Sequence, residues 1–172
     1  MLQALPPPRR IVAGHDGEGK SVVLSDKHIQ SKDVNDAPCR GLSDGALWTT
    51  DAVPSKDTNS DYDGASRPID GCGLVLRNGT NFRFTDLAPG GYAPMHVTSS
   101  IDYNILITGK VVLILEDGSE TLVEQPGAVV IMKGNVHAWR NPGPDWTRWM
   151  TVLVDAEPAV VNGESLEDGW RM

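Results

Sequence analysis

From Gly73 to about residue 155 the chain is a succession of short apolar, β-branched runs, each ended by Gly, Asp or Pro at spacings of roughly ten residues. The runs fall at residues 75–77, 81–87, 103–108, 110–115, 120–124, 128–132, 136–140 and 148–154, and no long amphipathic helical stretch interrupts them. Strands this short cannot bury a core singly, so the pattern predicts an antiparallel sandwich or barrel. Glu116-Asp117-Gly118-Ser119 supplies a hairpin turn through its Asp-Gly pair, and Gly109-Lys110 a second.

Ahead of this region the chain is richer in Gly, Asp, Ser and Pro. Residues 10–13 and 21–25 read as short strands, residues 46–50 as a further apolar run, and residues 51–64 as a long surface loop. At 172 residues the chain is expected to form one structural domain. Within it, residues 1–72 form an N-terminal extension on the barrel or on a partner subunit, and residues 73–155 the β core. Residues 156–172 form an acidic arm, suited to a short helix or to packing on a partner.

Charge narrows the partners. With 23 acidic and 15 basic residues the net charge is -8, and no Lys/Arg cluster exists that could displace phosphate counterions, which argues against nucleic acid. No apolar leader precedes Pro6-Pro7-Pro8, and no apolar run approaches the ~18 residues of a membrane helix. The expectation is a soluble, cytoplasmic protein with a small-molecule substrate, no membrane partner, and free thiols at Cys39 and Cys72.

Strand periodicity locates the chemistry. His96, Thr98, Ser100, Asp102 and Asn104 share a parity and would face one side of a continuous strand. Val97, Ile101 and Tyr103 take the other parity, suited to packing against a second sheet. Asn135, His137, Trp139 and Asn141 form a second row of equal parity, so that each segment offers one histidine to a shared interior. Arg140 has the opposite parity and is expected in an outward ion pair.

Two imidazoles and one carboxylate form the facial set that binds Fe(II) and also suits Mn, Ni or Zn. The same three residues without metal form an acid/base cluster. Phe84 and Trp139, with Thr98 and Asn104, are expected to line a pocket for a planar or aromatic ligand. His15 and His28 lie outside both segments. They are expected at the surface, with His15 able to reach a partner's site if the N-terminal strand exchanges across a dimer.

The two segments resemble the two motifs of the cupin superfamily. The first motif reads Gly, five residues, His-x-His, three or four residues, Glu, six residues, Gly. This chain has Gly90, five residues, His96-Val97-Thr98, three residues, Asp102, six residues, Gly109, with Thr98 in place of the second histidine and Asp102 in place of the glutamate.

The second motif reads Gly, five residues, Pro-x-Gly-x-x-His, three residues, Asn. Here it is Gly127, four residues, Met132-Lys133-Gly134-Asn135-Val136-His137, three residues, Asn141. The wording around His96 to Tyr103 and His137 to Asn141 is similar to small single-domain cupins frequent in fungi.

The resemblance implies an all-β double-stranded β-helix, the jelly-roll barrel, and a homodimer joined through strand exchange or sheet packing. The apolar strand at residues 147–154, with Trp146 and Trp149, is the candidate for that contact. The resemblance also implies a divalent metal on His96, Asp102 and His137. Thr98 weakens that implication, since a neutral hydroxyl is a poor ligand, and Asp102 is one methylene shorter than Glu.

Three functions remain open at this point. The first is a tailoring enzyme of secondary metabolism, a lyase or isomerase. It would carry out dehydration, decarboxylation, isomerisation or cyclisation with His137 as base or ligand, His96 as its partner and Asp102 orienting or charging the pair. The second is an Fe(II) oxygenase on the same three residues, and the third a non-catalytic ligand-binding module.

Overall fold

The computed structural model describes residues 4–35, 39–71 and 73–171, so the expectation for Cys72 falls outside it. Its strands are β1 (Arg9–His15), β2 (Ser21–His28), β3 (Lys32–Asp33), β4 (Arg40–Thr50), β5 (Thr80–Val97), β6 (Ser100–Thr108) and β7 (Val111–Leu115). They continue with β8 (Glu120–Val123), β9 (Val129–Lys133), β10 (His137–Arg140), β11 (Thr147–Asp155), β12 (Val160–Val161), β13 (Glu164–Ser165) and β14 (Gly169–Trp170). Every pairing is antiparallel. The all-β expectation holds.

β5 shapes the barrel by belonging to both of its walls. Residues 80–87 lie between β4 and β11, whereas residues beyond 91 pair with β10, with Tyr92 still meeting Arg40 of β4 and His96 and Val97 meeting β14 on the other side. The corner is Pro89-Gly90-Gly91. Gly90 has φ +72°, and a Cβ on Gly91 would come within 2.8 Å of Leu87 and of the Ala88 carbonyl, so the bend requires glycine there. One wall therefore runs β3-β4-β5-β11-β6-β9, and the other β8-β7-β10-β5-β14.

The interior has two halves. At one end Leu42, Leu87, Leu106, Leu113, Val123 and Met132 pack into a solid core, each side chain contributing roughly 1.5–3 kcal/mol by leaving water. Trp139 and Trp149, with ring centroids 5.7 Å apart, roof that core. Beyond them the barrel is hollow.

The Asp-Gly hairpin forms as expected. Gly118 donates to the Leu115 carbonyl at 3.0 Å, and Ser119 N–H is held by Asp117 at 2.9 Å. Gly109, at φ +78°, turns β6 into β7.

Several expectations need correction. Residues 75–77 are not a strand: Asn78 at φ 61° and Gly79, pressed against the Thr50 backbone, fold them into a loop. β4, within the segment read as an extension, is a full member of the sheet. Tyr103 faces outward and exposed, because the polar row of β6 is the one turned into the barrel.

β11 is an interior strand with β5 and β6 on its two sides, so it has no free edge to exchange, and Trp149 points inward; Met150, Val152 and Val154 on its other face are partly buried. The described part of the C-terminal arm is not helical; it ends in β14, paired with β5. Among the described residues no helix is long and apolar enough to cross a membrane.

Candidate active site

The hollow end of the barrel is a cavity of about 620 Å³ that brings together His96, Thr98, Asp102, Asn104, His137 and Trp139. A larger recess of about 1100 Å³ lies between the N-terminal hairpin and the outside of the barrel. It is lined by His15 and by much of the loop after residue 54, and holds neither His96 nor His137.

His96 and His137 occupy directly opposed positions on β5 and β10, which sets their ring centroids 4.3 Å apart. Each Nδ1 faces the backbone carbonyl two residues earlier, Pro94 at 2.8 Å and Asn135 at 2.9 Å. A carbonyl only accepts, so each Nδ1 carries the proton and each neutral ring keeps a bare Nε2. Burial lowers the pKa of His96. Burial first, and then the neighbouring His96, drive His137 down to about 3. Two imidazoles this close cannot both take up charge, and near pH 7 the pair is neutral.

Asp102 approaches from β6, on the opposite wall. Burial pushes its carboxyl up to about 6, against the opposing pull of the Ser100 hydroxyl. Ser100 Oγ lies 2.5 Å from Asp102 Oδ1 and 2.9 Å from Thr98 Oγ1. A hydroxyl has one proton to give, so when Ser100 donates to the carboxylate, Thr98 donates to Ser100. The three side chains thus form a line along which protons can shift. Asn104 is fixed by Thr151, whose hydroxyl donates to Oδ1 at 2.7 Å.

The expected metal set is not assembled. Among the described residues no three His, Cys, Asp or Glu side chains converge closely enough to hold an ion. The two histidines form a nitrogen pair, while the short Asp102 side chain is taken up by Ser100. The donors present do not fit a two-histidine, one-carboxylate centre.

Phe84 is not a pocket residue. It is fully buried on the outer side of its sheet, beneath the Arg148 guanidinium at 5.0 Å, while Arg83 and Thr85 on either side face the cavity. The even parity that Phe84 shares with His96 fails because β5 has a bulge: His137 pairs with His96, but Trp139 pairs with Ala93. Asn141 is structural, donating to the Leu87 and Asp145 carbonyls. Arg140 makes the expected outward ion pair, 2.7 Å from Glu120.

Among the cavity residues that escaped the sequence reading are Trp149, Arg83 and Trp170. Trp149 was within reach, since residues 147, 149, 151 and 153 alternate inward along β11. Arg83, ion-paired to Asp44 and donating to the Gly73 carbonyl at 3.2 Å, is the cavity's buried cation. Trp170, 5.2 Å from His96, lies in the weakly patterned arm, where nothing in the sequence marks it.

Comparison with known proteins agrees with this architecture. The cupin domain family matches residues 83–153. The cupin-domain-containing oxidoreductase fogC of Aspergillus ruber is 30% identical over 166 residues, covering 92% of this chain and 77% of its own length. The chain belongs to the cupin superfamily.

Phomopsin biosynthesis cluster protein D of Diaporthe leptostromiformis is 35% identical to this cupin over 95 residues, 55% of this chain and 50% of that protein. Among solved structures, the polyketide cyclase RemF of Streptomyces resistomycificus superposes with a TM-score of 0.51 at 15% identity, covering 73% and 72% of the two chains. That likeness concerns the fold, and the barrel of this cupin is the superfamily's jelly roll.

Proposed function

We propose that this cupin is a small-molecule enzyme that moves protons on a carbonyl-bearing intermediate of secondary metabolism, in a dehydration, isomerisation or cyclisation. The observation that carries the reading is the Thr98-Ser100-Asp102 line, which opens into the cavity that also holds two neutral imidazoles with bare Nε2 atoms. The relatives lend support at a coarser level, one being named for a biosynthesis cluster. The word oxidoreductase belongs to the Aspergillus protein's name, and the reaction proposed here is redox-neutral.

The roles differ from those expected from the motif. His137, held down near 3 by burial and by His96, is unprotonated at neutral pH but a much weaker base than Asp102. Asp102, near 6, is about nine-tenths ionised at pH 7 and still basic enough to accept a proton. It removes the proton next to the carbonyl, and in a dehydration returns it to the departing hydroxyl, which leaves as water. The two Nε2 atoms accept hydrogen bonds from substrate hydroxyl or enol groups and so orient the carbon acid. Trp139 and Trp149 keep bulk water from below.

The test is turnover of β-hydroxy ketones by the purified chain, followed against pH. kcat/KM should rise with pH through about 6, set by Asp102. Asp102→Asn should lower it by about 10²- to 10⁴-fold, the usual contribution of a positioned acid or base. Ser100→Ala should move the pH limb upward, because the hydroxyl that lowers the carboxyl pKa is gone. Full activity in Asp102→Asn would end this reading.

A further inference from the structure

We propose that Trp170, delivered by the C-terminal arm, is the surface on which a neutral, planar, conjugated hydroxy-ketone stacks, and so determines the substrate class. The inference rests on reading the barrel cavity as the reaction site, and adds to it a residue and a chemistry.

Trp170 is placed by register. Leu115, His137, His96 and Trp170 stand in one transverse row across β7, β10, β5 and β14, each the ladder partner of the next. Side chains in such a row share a face, so the indole lies beside the imidazoles at the cavity wall, its centroid 5.2 Å from that of His96. Trp139 and Trp149 are almost wholly buried against the core, but Trp170 is only partly buried. Its uncovered ring surface is what a flat ligand would cover.

The arm that carries Trp170 is tethered at a few points. β14 is two residues long and could not hold itself in place. Asp168 Oδ1 accepts from both the N–H and the hydroxyl of Ser99, each at 2.6 Å. The arm's other end, Ala156 N–H, donates to the Ser99 carbonyl at 3.1 Å, and Arg171 N–H donates to Met95 at 2.7 Å. Ser99 lies between Thr98 and Ser100, so the arm is clasped to the turn that bears the proton line. From residue 160 to 165 the arm is exposed and makes only its own small hairpin.

The ligand's chemistry follows from what surrounds it. Three indoles call for a flat, polarisable partner, and two bare Nε2 atoms and a carboxylate call for hydroxyl donors. Neutrality is favoured because Arg83 is already paired with Asp44 and the imidazoles carry no charge.

Calorimetric titration of the full chain with 6-acetyl-2-naphthol, whose hydroxyl is free to donate, and, for contrast, with 6-hydroxy-2-decalone, a hydroxy-ketone of similar size without a flat π system, tests this. The naphthol should bind at least tenfold more tightly. Trp170→Leu should weaken the naphthol about five- to tenfold and leave the decalone unchanged, with Trp170→Phe recovering most of the loss. Asp168→Ala should behave like Trp170→Leu, while Asp168→Asn, which keeps the acceptor oxygen for Ser99, should stay near wild type.

Equal binding of the two ketones, no binding of the naphthol, or an unaltered Trp170→Leu would overturn the proposal. Asp102→Asn should still bind the naphthol, because its amide oxygen remains a hydroxyl acceptor and stacking does not need the base. If that variant also turned substrate over normally, the acid/base reading would fall and the stacking role would stand.

Discussion

Asp86 and Asp102 lie on adjoining parts of one sheet, 3% and 5% exposed, and meet opposite surroundings. Asp86, on the outer face, has both oxygens taken by Arg148, Nε and Nη2 each at 2.6 Å. Arg148 in turn donates to the Pro6 carbonyl at 2.8 Å and lies over the Phe84 ring. Asp102, on the inner face, has one hydroxyl at 2.5 Å and no cation beside it. A buried charge whose hydrogen-bonding capacity is saturated serves as scaffold. One left undersatisfied beside a cavity is held in a state that a substrate or a proton can complete.

The sharpest way to break that contrast is to remove one side of the saturated pair. Arg148→Met should destabilise the chain by about 3–5 kcal/mol in urea unfolding, because Asp86 is left buried and unpaired. The double change Arg148→Met with Asp86→Leu should recover most of the loss, since an ion pair in such a place is worth little over apolar packing. If the single change were harmless, Asp86 would not be part of the scaffold.

A smaller effect concerns pH. Unfolded histidine protonates near 6.5, whereas folded His137 does so only near 3, so the unfolded chain binds more protons between those values and stability falls as pH falls. His96 is shifted in the same direction. Asp102 acts oppositely: its carboxyl protonates near 6 folded and near 3.8 unfolded, so its contribution rises as pH falls through that window. The histidine shift is the larger. Net stability should therefore decline from pH 6.5 to 4, a decline that His137→Asn flattens and Asp102→Asn steepens in urea melts at three pH values.

Much of this molecule is legible in its sequence. Gly, Asp and Pro punctuation found most of β5 to β11, because turn residues mark where a ladder must end. The run at residues 81–87 covers only the first part of β5, since Pro89-Gly90-Gly91 is a corner within one strand that passes between two walls. Residues 75–77 have strand composition and no ladder partner.

In the site, His96, Thr98, Asp102, Asn104, His137 and Trp139 were found from parity and motif spacing, since local alternation fixes which face a side chain takes. Phe84, expected in the pocket as an aromatic side chain, faces the other side of its sheet, while the bulge between Ala93 and His96 lets His96 face the cavity. Trp170 was missed because its position depends on a long-range clasp, Asp168 on Ser99, 69 residues apart in sequence.

The central claim is that Asp102, rather than a histidine, is the group tuned to exchange protons near neutrality. Carbon-detected NMR titration of the Asp102 carboxyl, with the ring nitrogens of His96 and His137 followed in the same samples, tests it directly. The account predicts a carboxyl midpoint near 6 and a His137 ring that stays neutral, protonated on Nδ1, below pH 4. A carboxyl midpoint near 3.8 with His137 titrating near 6.5 would contradict it.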